Sequence, residues 1–209
     1  MMLELLLATT NPGKLREMRA LLASLPPHIQ LVTPADLGLH LEVEEDGQTY
    51  AENASLKAVA FCHASQRVTL ADDSGLEVEV LDGAPGLHSA RYAPQPGATD
   101  ADRRARLLAA LQGAPHPWRA RFRCVVAITT PDGAAREKIL TTEGICPGEI
   151  IPQERGSNGF GYDPIFLLPE KNLTMAELSM ADKNLLSHRA RAVQAALPIL
   201  IDIFTRAAL

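Results

Sequence analysis

Val68-Thr-Leu-Ala-Asp-Asp-Ser-Gly-Leu-Glu-Val-Glu-Val80 is the stretch on which the reading of this chain turns. Leu76, Val78 and Val80 alternate with Glu77 and Glu79 at the period of a half-buried strand. A second strand-like run, Val68 to Ala71, precedes it. Asp72 and Asp73 fall where that first run ends, and Ser74 and Gly75 are read as a tight turn. Successive strand side chains point to opposite faces, so the two carboxylates do not share one job. One can face a cleft and hold a hard divalent cation or activate water, while the other caps the turn. A plain Asx-turn between strands accounts for the same four residues, and the rest of the chain decides between the two.

Upstream, Leu3 to Ala8 reads as a buried strand. It runs into Thr9-Thr-Asn-Pro-Gly-Lys14 and then a helix with Leu15, Met18, Leu22 and Leu25 on one stripe, ended by Pro26-Pro27. Asn11 suits the N-cap and Pro12 the first helical position. A strand, a short loop and a helix N-terminus with a Lys in its first turn make an anion site, although the P-loop pattern is absent. Ile29 to Thr33 is a second strand, and Leu41 to Asp46 leads into a loop carrying Glu42, Glu44 and Glu45. Thr49 to Gln66 is helical, with Asn53 and Lys57 stacked four apart beside Ala54 and Phe61. There Lys57 is either a snorkelling surface lysine or an ammonium aimed at a phosphate.

Downstream, a Gly/Pro turn from Gly83 opens a polar segment reaching Tyr92. Thr99 caps a helix to Leu111, with Gly113 just past its end. Ala120, Phe122, Cys124, Val126 and Ile128 alternate as a strand, with Arg119, Arg121 and Arg123 on its other face as a solvated row or a subunit contact. Pro131-Asp-Gly133 signals a hairpin whose return strand is Ala135 to Thr142. Gly156-Ser-Asn-Gly-Phe-Gly-Tyr-Asp-Pro164 surrounds two rings with glycine, so that an aromatic face can be offered to a nucleobase or tucked into the core. Ile165 to Leu168 is a short strand, and Thr174-Met-Ala-Glu177 is a capping box opening a helix. Ser187 caps a last long helix, with His188 and Arg189 in its first turn and Pro198 expected to kink or break it.

Length and composition bound the function. With 209 residues the chain can bury a sizeable core in one domain, or in two lobes around a cleft. A formal charge of −5 argues against sequence-independent nucleic-acid binding but not against a small anionic ligand held by a local basic cluster. Cys62, Cys124 and Cys146 are odd in number and far apart, which points to a reducing cytoplasm rather than a disulfide framework or zinc site. The N-terminal apolar run, broken by Glu4, is too short for a signal peptide, and no stretch reads as a membrane span.

In this order, several short motifs resemble the inosine triphosphate pyrophosphatase family, the Ham1-like or RdgB-like purine nucleotide pyrophosphatases. They are Thr9-Thr-Asn-Pro-Gly-Lys14, Glu52-Asn-Ala with Lys57-Ala, Ala71-Asp-Asp-Ser-Gly-Leu76, Pro85-Gly with Ser89-Ala-Arg-Tyr92, Gly159-Phe-Gly-Tyr-Asp-Pro164 and Lys183-Asn with Ser187-His-Arg189. The phosphate loop has Thr-Asn where many relatives have Gly-Asn or Ser-Asn, keeping the Asn and Lys.

The resemblance implies an α/β fold with a long twisted mixed sheet and two lobes around a nucleotide cleft, as a homodimer. It implies Mg²⁺-dependent hydrolysis of dITP, ITP and XTP to the monophosphate and pyrophosphate. By the same resemblance Thr9, Thr10, Asn11, Pro12, Gly13 and Lys14 hold the phosphates with help from Lys57. Asp73 is proton acceptor and metal ligand, Ser74 a substrate contact, and Glu44 or Glu45 the second metal ligand. Phe160, Gly161, Tyr162, Asp163 and Lys183 surround the nucleoside, while His188 and Arg189 read the edge of the base. A guanidinium only donates, so Arg189 would match the 6-carbonyl of hypoxanthine or xanthine and mismatch the amine of adenine. Two other readings use the same residues: a pyrophosphatase for modified pyrimidine nucleotides, and a nucleotide sensor without catalysis.

Overall fold

The computed structural model describes residues 2–131 and 139–207. In chain order these form β1 (Leu3–Leu7), α1 (Pro12–Leu21), β2 (Ile29–Val32), α2 (Tyr50–Ser65), β3 (Val68–Val78), α3 (Asp100–Ala110), β4 (Trp118–Thr129), β5 (Leu140–Ile150), β6 (Phe166–Leu168), β7 (Leu173–Thr174), α4 (Met180–Leu186) and α5 (His188–Ala207). The strands make one mixed sheet in the order β2-β1-β3-β4-β5-β6-β7. β1 pairs parallel with β2 and β3, and β6 pairs antiparallel with β5 and β7. Parallel neighbours need a crossover, and α1 and α2 supply it between β1, β2 and β3. This is the α/β architecture with a mixed sheet that the sequence predicts.

The chain folds as two compact units. The first comprises Met1–Asp73, Cys124–Gly144 and Arg189–Leu209. Its core joins Leu5 and Leu7 of β1, Met18 and Leu22 from α1 and its C-cap, Val126 and Ile128 of β4, and Ala192, Ala196, Leu200 and Phe204 of α5. The α5 positions recur every four residues, the stripe that a helix turns toward its core. The second unit comprises Ser74–Arg123 and Ile145–His188. Its core sets Trp118, Ala120 and Phe122 of β4 against Leu107 and Leu111, one turn apart, and against Phe166 and Met175.

Several local expectations are corrected. The Asp-Asp-Ser-Gly turn does not form: β3 runs unbroken from Val68 to Val78, and both carboxylates are buried in it. The acids need no turn or solvent because neighbouring cations neutralise them inside the unit. Past Val78 the expected strand gives way to a 3₁₀ turn, Glu79–Leu81. α1 ends at Leu21, well before the two prolines, and the capping box at Thr174 opens only the single 3₁₀ turn Met175–Glu177. Pro198 does not break α5. The helical bond lost at its nitrogen belongs to the carbonyl of Gln194, and both residues are exposed, so water can take that acceptor. Arg121 and Arg123 are not simply solvated, because both reach Glu77, at 2.5 and 3.7 Å. Asp132 and Gly133 of the expected hairpin and the start of its return strand lie outside the described residues; β5 begins at Leu140 and runs past Thr142 to Ile150. No helix among the described residues is long and apolar enough to cross a membrane.

Gly148 shows how tightly β5 meets β6. A Cβ there would lie 2.5 Å from the Leu167 carbonyl oxygen and 2.5 Å from the Phe166 ring. Gly148→Ala is therefore expected to cost about 1–3 kcal/mol by overpacking. Leu185→Ala, at a side chain 73% exposed, is expected to stay within about 0.5 kcal/mol. Urea denaturation of the two variants checks the contrast, and equal losses would contradict it.

Candidate active site

In the first unit, β1 delivers the chain to Thr9 and Thr10, and Asn11 opens α1 with an extended backbone. The Asn11 Oδ1 accepts from the Gly13 and Lys14 N–H groups at 2.8 and 3.0 Å, so the helix cap itself occupies two of the donors expected to face phosphate. Thr10, Asn11 and Pro12 are exposed and Gly13 is buried. Lys14, one turn in, points its ammonium 3.0 Å from Asp72 Oδ2.

Asp72 is the hub of a buried ionic network. The same Oδ2 accepts from Arg189 Nε and Nη2, each at 3.3 Å, and Arg189 Nη1 donates to Glu17 at 2.5 Å. Burial alone would push the Asp72 carboxyl up, but Lys14, Arg189 and Lys57 outweigh it and hold the group well below the usual carboxylate range. Burial likewise opposes the Arg189 charge, and Asp72 and Glu17 overcome it, so its affinity for the proton rises. Asp72 Oδ1, also buried, accepts no hydrogen bond among the described residues.

Asp73 meets a different set. Its Oδ2 accepts from Asn53 Nδ2 at 3.3 Å, and Lys57 Nζ stands 3.6 Å from its Oδ1 and 3.2 Å from Glu45 Oε1. Burial raises its pKa above the ordinary value against the pull of Lys57 and Lys14, with Glu45 reinforcing the rise. Two adjacent carboxylates thus have opposite characters: Asp72 is a fixed anion and Asp73 the more basic group. Such divergence is how neighbouring acids acquire separate roles.

Hard cations favour oxygen donors, and Mg²⁺ commonly takes one or two carboxylates and completes its shell with water and phosphate. The cluster of Glu45 and Asp73 around Lys57 supplies two carboxylates that fit that pattern; among the described residues no group of three or more His, Cys, Asp or Glu side chains is placed to hold a metal ion. Of the two acidic-loop candidates, Glu45 lies in this cluster, while Glu44 is exposed.

The second unit holds Ser74, Phe160 to Asp163, Lys183 and His188. Gly159 and Gly161 both take positive φ, and a Cβ on Gly159 would collide with Asp163 Oδ2 at 2.0 Å. Asp163 Oδ2 accepts from the Phe160 N–H at 2.8 Å and from Lys183 Nζ at 2.5 Å. Lys183 Nζ also stands 5.1 Å from the Phe160 ring centre, in cation–π range. The two rings of the segment part company. Phe160 is half-buried, whereas Tyr162 is buried in the core with its hydroxyl donating to the Ser89 carbonyl at 2.9 Å. His188 stacks on Phe122, with ring centres 4.7 Å apart and planes 14° from parallel.

Arg189 belongs to the first unit, where it is 1% exposed and its guanidinium donates to Asp72 and Glu17. Two further residues take part that the motifs do not mark as site residues. Asn53 is 1% exposed and bridges the acidic loop to Asp73: its Oδ1 accepts from the Gly47 N–H at 2.9 Å while its amide donates to the acid. Its helical spacing to Lys57 was the signal. Glu17 has a weaker one, an acid beside the apolar stripe position Met18 and one turn after Lys14.

A profile of the Ham1 family matches residues 5–199. A protein of Desulforamulus reducens named dITP/XTP pyrophosphatase is 47% identical over 203 residues, covering 97% of this chain and 98% of its own. One of the same name from a Nostoc species is 50% identical over 194 residues, covering 93% and 92%. The solved structure of a HAM1 protein from Coxiella burnetii superposes with a TM-score of 0.84 at 39% identity, covering 96% of this chain and all of that one.

The ionic hub makes a pH-dependent contribution with a defined sign. A carboxyl whose folded pKa is depressed stabilises the fold above its unfolded pKa, about 3.9 for Asp, and loses that contribution as pH falls toward the folded value. Asp72→Asn leaves Lys14 and Arg189 without their shared anion and is expected to cost about 3–5 kcal/mol at neutral pH. Denaturant titration at several pH values checks this. The gap between wild type and variant should be constant above about pH 5 and shrink below about pH 4; a gap that widens in acid would contradict it.

Proposed function

This chain belongs to the Ham1 family, and on that footing we propose that it hydrolyses noncanonical purine nucleoside triphosphates, dITP, ITP and XTP, to the monophosphate and pyrophosphate. The observation that carries the reading is the pairing of two adjacent buried carboxylates with two ammoniums, Lys14 3.0 Å from Asp72 and Lys57 3.6 Å from Asp73. A carboxylate that can orient water and ammoniums that can neutralise phosphate charge suit water attack on a phosphoanhydride.

Lys14, Lys57 and the Thr9–Gly13 loop take the triphosphate, with Asp72 and Arg189 fixing the direction of the Lys14 ammonium. Asp73 orients a water toward the α-phosphorus and accepts its proton. The new P–O bond forms as the α-phosphorus loses the oxygen bridging to the β-phosphate, and pyrophosphate leaves with that electron pair. Lys14 and Lys57 neutralise the added charge on the leaving group. Asp73 and Glu45 are the donors that would hold Mg²⁺, which when bound supplies positive charge to the phosphates and acidifies water.

The half-buried Phe160 ring is the platform for the base, and Ser74, Asp163 and His188 are polar groups for the sugar and base edge. Lys183 can only donate, so its ammonium suits a 6-carbonyl and opposes an adenine amine. Arg189 is a further group that can only donate. The enzyme works as a homodimer in the cytoplasm, clearing altered purines before polymerases use them; three buried free cysteines suit that compartment.

A pyrophosphate-release panel of ITP, XTP, ATP and dUTP, with and without Mg²⁺, tests the reading. ITP and XTP should turn over with Mg²⁺, and ATP should have a kcat/KM lower by about 100-fold or more; preference for dUTP would overturn it. Asp73→Asn should lower kcat by about 10²–10⁴-fold with nucleotide binding by calorimetry largely kept. Lys183→Ala should erode the ITP-over-ATP ratio roughly tenfold or more, and an unchanged ratio would remove Lys183 from base choice.

A further inference from the structure

We propose that Asp100 and Arg104 of α3 are positioning residues that set nucleotide affinity by clamping Gly161, and through it the Phe160 ring. The inference rests on the reading of Phe160 as the platform for the base.

Gly161 has φ +63°, and nothing lies within 4 Å of the place its Cβ would occupy. Packing against a side-chain position therefore does not hold it. Its backbone polar groups do. The Gly161 N–H donates to Asp100 Oδ2 at 2.7 Å, and its carbonyl accepts from Arg104 Nη1 at 2.8 Å. Both partners are ionised and come from one helix, one turn apart.

Each holding side chain is itself held. Arg104 presents Nε and Nη2 to the two carboxylate oxygens of Glu154 at 2.8 and 3.0 Å, a bidentate fork that fixes the guanidinium plane. Asp100 Oδ1 accepts from Arg103 Nη1 at 2.6 Å, and Arg103 Nη2 reaches the Ala98 carbonyl at 2.9 Å. The neighbours of Gly161 are anchored by other means: Tyr162 through its hydroxyl to Ser89, and Phe160 through its N–H to Asp163. Gly161 is the joint between these anchors. Left unclamped, a glycine regains more backbone freedom than any other residue, and that freedom must be lost again when a base stacks on Phe160.

Steady-state kinetics with ITP and Mg²⁺ test the clamp. Asp100→Ala and Arg104→Ala should each raise KM roughly tenfold, the loss of one charge-assisted hydrogen bond, with kcat kept within about threefold. Asp100→Asn retains an acceptor and should raise KM less. In a Phe160→Ala background the same substitutions should move KM by less than about twofold, because the platform they serve is gone. Anchoring for stability alone would not produce that coupling. Where either alanine variant fails to melt cooperatively, Glu154→Ala loosens Arg104 from a more exposed position and should show the same KM rise and the same coupling. Wild-type KM in the variants, or an equal rise with and without Phe160, overturns the clamp while leaving the proposed activity standing. Absence of ITP turnover by the wild type overturns the activity and the clamp with it.

Discussion

Two carboxylates side by side in one buried strand cannot both remain charged without compensation, and the first unit is arranged around that constraint. Asp72 is compensated nearly completely, by Lys14 on α1 and by Arg189 at the start of α5, with Glu17 closing the circuit. Asp73 is compensated only in part, since Lys57 divides its attention with Glu45. The result is an anion that does not titrate near neutrality beside a group that binds a proton more readily than an ordinary Asp. A buried ion cluster of this kind adds little stability relative to well-packed apolar residues of equal volume. Its value lies in what it fixes: the Lys14 ammonium is held by a carboxylate that cannot move, in a helix whose N-terminus its own Asn11 cap has tied down.

The second unit meets a different requirement, that of holding an aromatic ring half out of the core. A ring on a free loop would fold back against apolar neighbours, as Tyr162 does. Phe160 is kept from that by hydrogen bonds on the residues around it, to Asp163, Asp100 and Arg104. Positive φ at Gly159 and Gly161 lets the chain turn tightly enough for one carboxylate, Asp163, to serve both the Phe160 N–H and the Lys183 ammonium.

Much of this was legible in the sequence, where a single residue's physics decides the matter. Asn11 and Thr99 announce their helices because few residues can cap one. The alternation of Ala120, Phe122, Cys124 and Val126 gives β4 directly. What sequence could not show is long-range compensation. Asp72-Asp-Ser-Gly75 reads as a turn because charge and glycine belong at surfaces, and only a lysine 58 positions earlier and an arginine 117 positions later make a strand of it. Arg189 shows the same limit: nothing at a helix start announces its two acidic partners, Asp72 and Glu17.

Arg189 and His188 also show why adjacent residues of one motif need not share one task. The chain leaves the second unit between them, just as β3 leaves the first between Asp73 and Ser74. His188 lies flat on Phe122 and so belongs to the aromatic packing of the second unit. Arg189, one residue on, is the counter-ion of Asp72. A substitution at either position therefore acts through a different set of neighbours, ring stacking in one case and charge balance in the other. The Lys183 ammonium answers to a third set of neighbours, the Asp163 carboxylate and the Phe160 ring 5.1 Å away.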